Sequence, residues 1–87
     1  MTVEEEEALE EIQEHARCGR VMLTDHAEKR MAQRSVWEDD IYEAIATAES
    51  CEAQDDGTWR VQGWDFDEDE LTLIIALEGE NVIITVF

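Results

Sequence analysis

The 87-residue chain has no proline, a single lysine (Lys29) and only two cysteines. The lack of proline, together with the absence of any repeat or low-complexity run, leaves no linker at which to divide it, so one domain over residues 1–87 is expected. Cys18 and Cys51 are too few and too far apart for a disulfide framework or a zinc site, and read as small half-buried thiols. No stretch approaches the roughly 20 apolar residues that cross a bilayer. The opening Met1–Glu7 is acidic rather than basic and then apolar, so no signal peptide is read and a cytoplasmic location is expected. No serine–histidine–acid order, phosphate-binding loop or dinucleotide fingerprint occurs, and no cofactor is expected.

What the chain has in excess is acid. Twenty-four Asp and Glu face six Lys and Arg, for a net charge of −18, yet 44% of residues are hydrophobic. That apolar content separates it from disordered acidic chains. Three readings of the acidity remain: a surface adapted to high salt, a mimic of nucleic-acid phosphate that binds a basic partner, or simple solubility. Scattered acids and scarce lysine favour the first. The charge is also uneven. Residues 1–16 hold seven Glu and no base, residues 37–87 hold fifteen acids and only Arg60, but residues 17–36 hold five bases against Asp25 and Glu28.

Local signals predict helices first and strands after. Thr2 with Glu5 matches a capping box, and Leu9, Ile12 and Ala16 recur at helical spacing before Gly19, giving a helix over 4–17. Val21–Leu23 is a short strand or extended connector. Asp25 with Glu28 opens a helix over 26–34, and Ser35 with Glu38 opens one over 37–50, in which Trp37, Ile41, Ala44, Ile45 and Ala48 line the buried face. Thr58–Phe66 then alternates, with a bulge expected at Gly63, and Leu71–Leu77 and Val82–Phe87 follow as doubly apolar strands. The expected fold is α+β: two or three N-terminal helices packed on one face of a three- to four-stranded antiparallel β-meander.

His26, Arg30 and Arg34 fall at i, i+4 and i+8, and so share one helix face. Histidine moves protons near neutral pH, and arginine forks match phosphate oxygens, so the trio suits chemistry on a phosphodiester. The structural alternative is that both arginines pair with the chain's many carboxylates. Asp65, Asp67 and Asp69 alternate like calcium ligands but lack the glycine and the closing glutamate of that loop, and fit an acidic hairpin turn. His15 and Cys18 are too few for zinc. Trp59, Trp64 and Phe66 could stack bases, but few cations accompany them and core packing is the better fit.

The run Thr24-Asp25-His26-Ala27-Glu28-Lys29-Arg30-Met31-Ala32-Gln33-Arg34, with Trp37, Ile41 and Ala44 after it and Ile84-Thr85-Val86-Phe87 at the end, resembles the family called domain of unknown function 4258 over about residues 21–87, with residues 1–20 as a preceding helix. That family looks like part of the RelE-like and MqsR-like group of small toxins. The resemblance implies a toxin component of a toxin–antitoxin system, a metal-independent endoribonuclease with His26, Arg30 and Arg34 as catalytic residues, and with RNA and an antitoxin protein as partners. Two departures stand out: Ser35 where the family usually has glycine, and a net acidity that basic RNA-cutting relatives lack. The alternatives are a non-catalytic protein-interaction module of the same fold and an acidic nucleic-acid mimic.

Overall fold

The computed structural model describes residues 1–87 as α1 (Val3–Arg17), β1 (Val21–Leu23), α2 (Asp25–Arg34), α3 (Glu38–Ala46), β2 (Ser50–Ala53), β3 (Trp59–Trp64), β4 (Glu70–Leu77) and β5 (Asn81–Val86). The α+β class is as expected. The sheet is larger than the expected meander: five strands in the order β1-β5-β4-β3-β2, with β1 parallel to β5 and every other pair antiparallel. Three helices lay Ala8, Ile12, Ala27, Met31, Ile41, Ala44 and Ile45 on one face of it, against Val61, Leu71, Leu73, Ile75, Ile83 and Val86.

Helix α1 forms as its sequence signals require. Thr2 Oγ1 accepts the Glu5 N–H at 3.1 Å and Glu5 returns the bond to the Thr2 N–H at 2.8 Å. At the other end Gly19 takes φ +73, and the Gly19 and Arg20 N–H groups close on the Ala16 and His15 carbonyls. A left-handed residue with this pair of bonds is the usual way a helix satisfies its last carbonyls. The second Glu5 oxygen takes the Ala53 N–H at 2.9 Å, tying α1 to β2. These bonds hold the Glu5 carboxyl below the usual carboxylate range.

Helix α2 begins differently from expectation. Thr24, not Asp25, is its cap: Thr24 Oγ1 accepts the Ala27 N–H at 3.1 Å and donates to the Ile83 carbonyl at 2.8 Å. Its cap at the far end is Ser35 at φ +55, with the Val36 N–H on the Met31 carbonyl at 2.9 Å. A side chain in this conformation costs about 1 kcal/mol that glycine avoids. Ser35→Gly is therefore expected to raise the melting temperature by about 4–8 °C, and calorimetry that shows no rise would contradict this account of the turn.

Helix α3 is shorter than the expected 37–50, and Ser35 plays no part in starting it. The Asp40 carboxylate instead accepts the Trp37 N–H at 3.0 Å. Trp37 thus stands before the helix and is 76% exposed, while Ile41, Ala44 and Ile45 are fully buried. After Ala46 the chain is turned by Thr47, whose Oγ1 donates to the Glu43 carbonyl at 2.8 Å and accepts the Trp64 N–H at 2.9 Å. Ser50–Ala53 is then free to pair with β3 as a strand that the sequence pattern did not reveal.

The bulge expected at Gly63 is absent, since β3 and β4 pair without interruption from Trp59↔Ile75 to Trp64↔Glu70. Gly63 points at the helices, and a Cβ there would lie 1.9 Å from the Ala44 carbonyl oxygen. The irregularity lies between β4 and β5 instead. Ile75 faces Ile83 and Ile74 faces Thr85, which leaves Ile84 unopposed. The extra residue lets both Ile83 and Val86 reach the core.

One buried polar side chain joins the two layers. Asn81 Nδ2 donates to the Ile12 carbonyl at 2.8 Å, and its Oδ1 accepts from His15 Nδ1 at 3.1 Å. Asn81→Ala is expected to destabilise the fold by about 1–3 kcal/mol, because it strips a buried hydrogen-bond partner from each. Unfolding midpoints in urea equal to wild type would contradict that role.

Candidate functional site

The site follows from where β1 stops. β1 pairs with β5 only over Val21–Leu23 against Asn81–Ile83. Thr24 then bonds the Ile83 carbonyl and the chain turns into α2, so the helix lies along the remaining edge of β5. Edge carbonyls and side chains that a longer strand would have covered are met by the helix instead.

The three predicted residues lie on the same face of α2, as the spacing implied. His26 is exposed, and its Nε2 lies 3.1 Å from Thr85 Oγ1. Arg30 is half-buried, with Nε donating to the Val86 carbonyl at 3.2 Å and one terminal nitrogen reaching Gln33 Oε1 at 3.4 Å. Its guanidinium is thereby held in place with further N–H groups free to donate. Arg34 is exposed one turn on. Asp25 and Glu28 sit roughly 100° and 160° around the helix from His26, off this face.

Neither arginine is in an ion pair. The one lysine or arginine in an ion pair is Arg17, with Glu14 at 2.7 Å. The alternative in which both arginines serve carboxylates of their own chain therefore loses its main support. The face is open: the main concavities lie elsewhere, one between α1 and α3 and one beside the turn at Gln54–Thr58.

Thr85 and the Val86 carbonyl, which orient His26 and Arg30, were not signalled by spacing. They depend on β5 running beside α2, a pairing of residues more than fifty positions apart. The remaining candidates resolve otherwise. Asp65 Oδ1 accepts the N–H groups of Asp67 and Asp69 at 2.9 Å each, closing a hairpin turn. No group of three or more His, Cys, Asp or Glu side chains is placed to hold a metal ion. Cys18 is exposed and Cys51 is buried, with burial pushing the Cys51 thiol up to about 11. Trp59 packs against the core as expected, but Phe66 does not, being 64% exposed.

A family model described as Domain of unknown function (DUF4258) matches residues 23–87. That span holds α2, all three site residues, Thr85 and the whole antiparallel part of the sheet. Comparison with curated proteins and with solved structures returned no match.

Proposed function

We propose that this chain, which belongs to the DUF4258 family, cuts RNA without a metal ion as the toxin component of a toxin–antitoxin pair, using the α2 face. The observation that carries the reading is two unpaired arginines beside a histidine in a protein with 24 acids. Arg20, Lys29 and Arg60 are unpaired as well, and what sets Arg30 and Arg34 apart is that they share one helix face with a histidine, available to an outside anion.

The chemistry follows from the side chains. Arg30, fixed through its Nε, and Arg34 hold the phosphate oxygens and stabilise the charge that builds on them. His26 takes the proton of the ribose 2′-hydroxyl as its oxygen attacks phosphorus. The bond from phosphorus to the 5′-oxygen breaks, and that oxygen is protonated by the imidazolium. The products are a 2′,3′-cyclic phosphate and a 5′-hydroxyl. The role asks for the tautomer in which Nε2–H donates to Thr85 Oγ1, which leaves Nδ1 unprotonated to take the 2′-hydroxyl proton. The test is incubation of purified protein with single-stranded RNA, followed by mapping of the ends. RNA that stays intact at a salt concentration where the protein is folded would overturn the reading.

The acid surface fits work in concentrated salt. At about 1 M salt the Debye length is about 3 Å, so distant carboxylates no longer repel RNA, although the same salt weakens the contacts of Arg30 and Arg34 with phosphate. Salt also relieves the self-repulsion of a −18 chain. The melting temperature is expected to rise continuously between dilute and molar KCl, and a flat or falling curve would contradict the adaptation.

A second reading has an observation of its own. His26 and Arg34 are exposed and line neither of the two main concavities, as would suit a non-catalytic module that uses the same face to hold an anionic partner. Binding of RNA without cleavage, equal in wild type and His26→Ala, would favour it.

A further inference from the structure

Asp40 is a buried carboxylate, 8% exposed, on a helix whose first turn already holds Glu38 and Asp39. No lysine or arginine pairs with it. Its two oxygens are spent on two backbone N–H groups: Oδ2 takes that of Trp37 at 3.0 Å, and Oδ1 takes that of Phe66 at 3.2 Å. These belong to the two most exposed aromatic side chains in the protein, at 76% and 64%. One carboxylate therefore clamps the start of α3 to the turn after β3 and fixes the main chain beneath both rings. Burying apolar rings would have been the ordinary outcome of folding, and a desolvated carboxylate needs some return for its cost.

The Phe66 ring also borders a groove of about 430 Å³ between α1 and α3, floored by Ala16, Tyr42, Ile45 and Ala46. The groove is large enough for one or two bulky apolar side chains. Its rim is acidic, with Asp39 and Glu43 on α3 and the Asp65–Asp69 turn carrying Phe66. The cation at the groove, Arg17, is held by Glu14 at 2.7 Å.

We propose that this groove and the clamped Trp37 and Phe66 form a docking surface for a partner protein's amphipathic helix, with apolar anchors on one face and lysines or arginines beside them. Exposed aromatics on a fixed main chain are frequent anchors of protein interfaces; Phe66 borders the apolar groove, and Asp40 ties the Trp37 main chain beside that of Phe66. The acid rim selects a basic segment and rejects RNA phosphate. A second copy of the chain fits less well, because it would bring another −18 to the same rim. The surface shares no residue with the His26 face, so it stands whether or not the chain cuts RNA.

The probe is a fluorescein-labelled amphipathic helical peptide of leucine and lysine, followed by anisotropy in about 1 M KCl, where long-range attraction is screened. Wild type is expected to bind it saturably. Trp37→Ala and Phe66→Ala are each expected to weaken binding by about tenfold or more while keeping the wild-type melting temperature, since both remove exposed side chains. A peptide of equal charge with serine for leucine is expected to bind at least as poorly as the variants bind the original. Equal binding by the variants or by the serine peptide, or no saturable binding by wild type, overturns the proposal. So does dimerisation of the free protein that Phe66→Ala abolishes, which would give the surface to a second copy.

Discussion

Gly63→Ala is expected to destabilise the protein by about 3 kcal/mol or more, lowering the melting temperature by about 12 °C or more. The added methyl would stand 1.9 Å from the Ala44 carbonyl oxygen, 2.8 Å from its carbonyl carbon and 3.1 Å from its Cα. All three are backbone atoms in the last turn of α3, so no side chain can rotate away. The helix itself must lift off the sheet, and Ile41, Ala44 and Ile45 would lose their packing together. Gly79 supplies the contrast. It has φ +77 and open space where a side chain would stand, so alanine there meets only backbone strain of about 1–2 kcal/mol. Thermal unfolding of the two variants side by side separates the mechanisms. A Gly63→Ala protein that melts within a few degrees of wild type would show that α3 does not rest on this strand as described.

His26→Ala is expected to lower RNA cleavage about 10²–10⁴-fold, the usual contribution of a placed general base. Because the side chain is exposed and bonded only through Thr85, stability should change little. Arg30→Ala should weaken both phosphate binding and turnover. Its Nε bond to Val86 means that some stability is lost as well, and since Arg30→Lys loses that same bond but keeps the charge, comparing the two variants separates the fork and the charge from the packing. Thr85→Val is expected to have a smaller effect than either and to act through the orientation of His26. Rates from single-turnover assays in salt, with melting temperatures alongside, distinguish these cases. Wild-type rates in His26→Ala would remove the histidine from the mechanism.

The sequence revealed what depends on neighbours along the chain. Thr2, Glu5 and Gly19 set both ends of α1 within a few residues, and the i, i+4, i+8 spacing placed His26, Arg30 and Arg34 on one face. What it concealed depends on distant pairing. Val21–Leu23 is too short to announce itself as a strand and becomes one only through Asn81–Ile83. Gly63 broke the apolar alternation of its strand, which a bulge and a close helix approach explain equally well until α3 is seen against it. Trp37 matched the helical period of Ile41 and Ala44, but the Asp40 bond starts the helix one residue after it and leaves the ring in solvent. Thr85 reaches His26 by way of the extra residue at Ile84, which no local pattern reports.

The central claim is that an unpaired basic face on an acidic protein does phosphodiester chemistry through His26. End analysis of a defined single-stranded RNA, incubated in molar KCl with chelator and with wild type or His26→Ala, tests it most directly. The account predicts 2′,3′-cyclic phosphate and 5′-hydroxyl ends with wild type and their near disappearance with the variant. Intact RNA with both proteins, or the same ends at the same rate with both, would contradict it.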